Sequence, residues 1–136
     1  AATLRCAPQP YDPLGPSMNP PSLTPADRPT MYFFGVTTAR SAIMKVFPSW
    51  AQALGLSGAV LRGVDFPIGA PAAEYRHAVA FLKSDSGSLG ALVTTHKLDL
   101  FRACHDLFDE VDAFAAATGE TSSLSKRRGR LVAHAK

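Results

Sequence analysis

The sequence predicts an α/β fold: a three-layer sandwich on a largely parallel sheet, with helices on both faces and a C-terminal β-hairpin. Three observations lead there. Short apolar runs of strand length alternate with longer stretches of helical periodicity, in the order β-α-β-α-β-α-β-β. Two short runs flank Gly129 closely enough to be joined by a tight turn. Eight of the eleven prolines fall within residues 1–30, and apolar periodicity begins only after Thr30.

Residues 1–30 read as an extended arm, because each proline removes a backbone donor and fixes φ. It either stays mobile or lies along the surface of the domain formed by residues 31–136 through Tyr11, Leu14 and Leu23. Met31-Tyr32-Phe33-Phe34, ending at Gly35, is the first strand. Ile43, Val46, Phe47, Trp50 and Leu54 then follow the rhythm of an amphipathic helix closed by Gly55. Pro48 cannot donate to the Met44 carbonyl, so a kink or an irregular first turn is expected there. Ala59 to Phe66 is the second strand; Tyr75, Val79 and Leu82 mark the second helix, with Pro71 near its start. Leu89 to Val93 is the third strand. Residues 98–117 read as helical in two pieces, with Leu100, Phe101, Cys104, Leu107, Phe108, Val111 and Phe114 facing inward. Ser122 to Lys126 and Arg130 to His134 form the hairpin.

At 136 residues, with 46% hydrophobic and 18% charged, the chain can bury one core. No apolar run approaches the roughly 18 residues of a membrane span, so no membrane role is expected. Ala1 to Pro10 shows neither the basic nor the apolar region of a secretory signal. Cys6 and Cys104 make no disulfide framework and too few ligands for a cysteine-built zinc site, which fits a reducing, cytoplasmic setting. The net charge of +3 sits mostly on Lys126, Arg127, Arg128, Arg130 and Lys136 around Gly129. A solvated turn explains that cluster, and no aromatic residues interleave with it to stack bases, so nucleic acid is not an expected partner.

Ligands of open α/β sheets bind beyond the carboxyl ends of the strands, which directs attention to two loops. In the first, Gly35 to Ser41, Arg40 and Ser41 precede a helix start, where an anionic group can meet free N–H groups and a guanidinium. The plainer reading makes Ser41 an N-cap. In the second, Thr94-Thr95-His96-Lys97 follows a buried strand; Lys97 is either an acid/base at the crevice mouth or an ordinary helix-start lysine. His96 reads as structural. Cys104, His105, Asp106 and Asp109 are ligand-type residues, but consecutive helical positions diverge, so no metal is expected. Neither Gly-x-Gly-x-x-Gly nor a P-loop occurs.

Taken together, GVTTARSAIMKVFPSWAQALGL (35–56), GALVTTHK (90–97) and GETSSLSKRRGRLVAH (119–134) resemble the substrate-binding N-terminal domain of the shikimate/quinate dehydrogenase family. The resemblance implies an oxidoreductase that moves a hydride between NADP or NAD and a ring hydroxyl of a shikimate- or quinate-like hydroxy acid, in aromatic amino acid biosynthesis. The nucleotide would be bound by a domain after residue 136, leaving this portion alone inactive. Lys97 matches the family's catalytic lysine, Ser41 the first serine of its carboxylate-binding pair, and Thr94 or Thr95 its substrate-contacting threonine. Its usual aspartate partner would fall one residue beyond Lys136.

The departures fall on the ligand. Ile43 stands where the second serine is usual, with Arg40 as a candidate compensation, and Ser122 replaces a substrate-binding asparagine. The proline before the histidine is missing, and Ala135-Lys136 replaces Asn-Thr. Losing several hydrogen-bonding groups implies a changed substrate and a divergent member. The alternative is a non-catalytic small-molecule-binding or regulatory module of the same fold; a third reading is an interaction domain organised by the arm. The assembly is open, with a homodimer among the expected forms.

Overall fold

The computed structural model describes residues 23–136. Tyr11, Leu14 and Cys6, on which readings of the arm and of the thiols rest, lie outside the described residues. Leu23 packs against the core, and the Ala26 amide donates to the Asp85 carboxylate at 3.4 Å, so the described end of the arm lies on the domain.

Strands β1 (Thr30–Gly35), β2 (Val60–Asp65), β3 (Ser88–Val93), β4 (Glu110–Val111), β5 (Ser123–Arg127) and β6 (Arg130–His134) form one sheet in the order β2-β1-β3-β5-β6-β4. The β1–β2, β1–β3 and β4–β6 pairs are parallel, while β3–β5 and the β5–β6 hairpin are antiparallel. The helices are α1 (Ile43–Ala53), α2 (Ala72–Ser84), α3 (Lys97–Cys104) and α4 (Ala113–Thr118), with a 3-10 turn at Thr38–Arg40.

Because side chains alternate along a strand, Tyr32 and Phe34 of β1 share a face with Val64, Ala91, Val93, Leu124, Leu131 and Ala133. With Tyr75, Ala78, Val79 and Leu82 of α2 and Leu100 and Cys104 of α3 they make one continuous buried core. Phe33, between Tyr32 and Phe34 in β1, points to the opposite face and is buried there. The β1–β3 register shifts by one residue between Thr30 and Met31, leaving Leu89 as a bulge. Gly90 follows it at φ 144°, where an added Cβ would lie 2.1 Å from the Leu124 carbonyl oxygen.

Three expectations need correction. Val46, Trp50 and Leu54 do not face the core: Trp50 is 55% and Leu54 73% exposed. Helix α1 carries two apolar ridges, and it turns the one made by Ile43, Phe47 and Ala51 toward the domain. The stretch 98–117, expected as two helical pieces, divides into α3 and α4, but a 3-10 turn at His105–Leu107 and edge strand β4, which pairs Val111 with Ala133, lie between them. Phe114, expected inside, is 60% exposed on α4. Pro48 lies inside α1 without ending it.

Candidate functional site

The adjacent parallel strands β1 and β3 end side by side, with Phe34 paired to Val93. The loops that follow them face each other across a cleft of 270 Å³ lined by Phe33, Val36, Thr37, Thr38, Ser41, Thr94 and Thr95. Five of those seven residues carry hydroxyls and none is charged, which suits a ligand rich in oxygen. The Thr94 amide donates to the Phe34 carbonyl at 3.0 Å and so joins the two loop starts. The His96 amide donates to the Thr94 carbonyl at 2.5 Å, a three-residue turn with Thr95 at its centre at φ 60°. A β-branched residue is costly there, and the tight turn directs Thr95 into the cleft wall.

Three interactions fix the loops. His96, 1% exposed, lies edge-on to Phe66 and against Tyr75. Its Nε2 is 3.3 Å from the Gly35 carbonyl and its Nδ1 2.8 Å from the Tyr75 hydroxyl. A carbonyl only accepts, so Nε2 carries the proton and Nδ1 accepts from Tyr75, which burial keeps protonated by pushing its pKa up to about 12. The Asp65 carboxylate, at the end of β2, accepts from the Thr38 amide at 2.9 Å and from its hydroxyl at 2.7 Å. Two glycines leave room for this convergence. A Cβ on Gly63 would come within 2.1 Å of Thr38 Oγ1, and one on Gly35 within 3.1 Å of Thr94 Oγ1.

Of the residues singled out in the sequence, Ser41, Thr94 and Thr95 meet in the cleft. The position before α1 is Ala42, which makes no side-chain cap, and no hydrogen bond of the Ser41 hydroxyl occurs among the described residues. Arg40 is exposed at the end of the 3-10 turn and lies outside the cleft lining. Lys97 is the first residue of α3, two positions after Thr95, and its carbonyl accepts from the Thr121 amide at 3.2 Å. Ser122 sits beside the cleft strand, its carbonyl accepting from the Val93 amide at 2.9 Å, but its hydroxyl turns to the His134 carbonyl at 3.4 Å.

No family model and no curated protein sequence matches the chain. Solved structures do resemble it. Shikimate 5-dehydrogenase from Listeria monocytogenes, in complex with shikimate and NAD, superposes with a TM-score of 0.63 at 16% identity over 79% of this chain. Quinate dehydrogenase from Corynebacterium glutamicum, in complex with NAD, gives 0.56 at 19% identity over 79% of this chain. The chain has a shikimate dehydrogenase-like fold. The ligand-free 5-ketofructose reductase of a Gluconobacter strain shares it, with a TM-score of 0.62 at 20% identity over 79% of this chain. The match spans only 34%, 37% and 35% of those three chains, respectively.

Within this shikimate dehydrogenase-like fold, the residues that sequence reasoning missed are the supports: Thr38, Asp65 and Tyr75. Each looks ordinary in sequence, and only contacts between segments 21 to 27 positions apart, Thr38 with Asp65 and Tyr75 with His96, give it a role. Cys104 is fully buried, and burial pushes its thiol up to about 12, which makes it inert at neutral pH. Among the described residues no three His, Cys, Asp or Glu side chains cluster as metal ligands, and no helix is long and apolar enough to cross a membrane.

Proposed function

We propose that residues 31–136 form the substrate-binding part of an NAD(P)-dependent dehydrogenase that acts on a ring hydroxyl of a shikimate- or quinate-like hydroxy acid. The observation that carries this reading is the hydroxyl-lined cleft beyond β1 and β3, with Lys97 opening α3 directly after the cleft loop. Ser41, Thr94 and Thr95 hold the ring hydroxyls and carboxylate, Arg40 attracts the anionic substrate, and Ser122 lies at the rim. Lys97 Nζ gives a proton to, or takes one from, the reacting oxygen. No Gly-x-Gly-x-x-Gly turn follows any strand, and the turn after β1 is filled by Thr38 against Gly63. On this reading NADP or NAD is held by a further domain.

The test is cofactor-dependent oxidation of shikimate and quinate by the full natural protein. Lys97→Ala is expected to lower kcat by about a hundredfold or more with the fold intact; an unchanged kcat would remove the lysine from the mechanism. Ser41→Ala is expected to raise KM with kcat nearly unchanged. The Ser122 hydroxyl, engaged by the His134 carbonyl, favours a second reading as a non-catalytic binding module. Shikimate that shifts the amide resonances of Ser41 and Thr94 without any turnover selects that reading.

A further inference from the structure

At the opposite end of β3 from the cleft, about 20 Å along the strand, lies a second cavity, of 480 Å³. Its walls are Lys83 and Ser84 from the end of α2, Ser86 and Ser88 from the turn into β3, and Lys126 and Arg128 from the β5–β6 hairpin. Its size falls in the range of small-molecule sites. Two of the cations are fixed in place. Lys83 donates to the Leu107 carbonyl at 3.0 Å and to Asp109 at 3.2 Å. Lys126 donates to the Asp85 carbonyl at 2.5 Å, its only hydrogen bond among the described residues, although an ammonium has three donors. Burial depresses its pKa, the mark of a charge that lacks solvation. The nearby carboxylates are engaged: Asp109 holds Lys83, and Asp85 accepts from the Ser88 hydroxyl and the Ala26 amide.

The hairpin turn adds an independent observation. Its central residues, Arg128 and Gly129, lie at φ 51° and 75°. A two-residue turn of that kind favours Asn, Asp or Gly at its first central position, and any other side chain there is strained. Arginine is a poor turn former here, yet its position places a guanidinium at the cavity rim.

We propose that this cavity is a binding site for the phosphate group of a small phosphorylated metabolite. Lys126 and Arg128 pair with the phosphate oxygens, and the Ser84 and Ser86 hydroxyls meet the rest of the ligand. A concave site without an aromatic lining fits a small ligand better than a nucleic acid strand.

The experiment follows amide resonances of the full chain during titration with inorganic phosphate, glycerol phosphate, glycerol and a short single-stranded oligonucleotide. Saturable shifts at Ser86, Lys126 and Arg128 are expected with phosphate and glycerol phosphate, and none with glycerol. Arg128→Asn is expected to weaken binding about tenfold while raising Tm, since it supplies the preferred turn residue; Lys126→Gln weakens it without that gain. The proposal fails if phosphate gives no saturable shifts there, or if both variants bind as the wild type does. It fails equally if the oligonucleotide binds more tightly than glycerol phosphate through the outward arginines Arg127 and Arg130, which would make the hairpin a nucleic-acid surface.

Discussion

Tyr75 and His96 are each 1% exposed, and the hydrogen bond between them carries the loop that precedes α3. Tyr75→Phe leaves the ring packing nearly intact but strands the His96 Nδ1 acceptor in the core. The expected loss is about 1–3 kcal/mol, read from urea unfolding midpoints; an unchanged midpoint would show that the imidazole finds another donor. His96 was legible in the sequence as structural, because a lone histidine at the end of a buried strand lacks ligand partners. Its actual partner was not legible, since Tyr75 carries the same helical periodicity as the purely apolar Val79 and Leu82. Ser41, Thr94 and Thr95 were legible as a group from their position after strands. Ser122 was legible only as a place in the chain, because one rotamer decides whether its hydroxyl meets a ligand or the His134 carbonyl.

Among the elements, strands bounded by glycine or proline were the most readable, and α1 shows the limit of periodicity. Its stripe announces an apolar face but not which ridge of that face the domain covers. The short strand β4 has the sequence pattern of a helix, because Val111 faces inward under either period, and only its pairing with Ala133 separates the two. Gly63 shows what an element owes to its neighbour. In Gly63→Ala the new methyl would collide with Thr38, a β-branched residue held by two hydrogen bonds to Asp65. The variant is expected to lose about 1–3 kcal/mol and to perturb the cleft amides of Thr37 and Ser41. A wild-type Tm with unperturbed amides would mean that the loop shifts freely and does not need that anchor.

For the molecule as a whole, acid sensitivity concentrates between α3 and β6. The Arg76 guanidinium holds the Asp106 carboxyl below its ordinary range; the Leu131 amide, with Lys83, does so for Asp109, and the Ala115 amide for Asp112. In the unfolded chain these groups take up protons at higher pH than in the native one. The stability they contribute is therefore full above the ordinary carboxylate range and lost as pH falls through the depressed native values. Tm is expected to decline in that acid window, and Asp109→Asn to make the decline shallower. A melting temperature insensitive to acid would contradict the assignment. The order of strands in the sheet was less legible than the strands themselves, because parallel pairing joins segments far apart and leaves no local signature. That same pairing has a kinetic side. The cleft depends on contacts such as His96 with the Gly35 carbonyl, 61 positions apart. No local hairpin or helix can prefigure it, so the cleft walls are expected to form after the helices, once that long loop has closed.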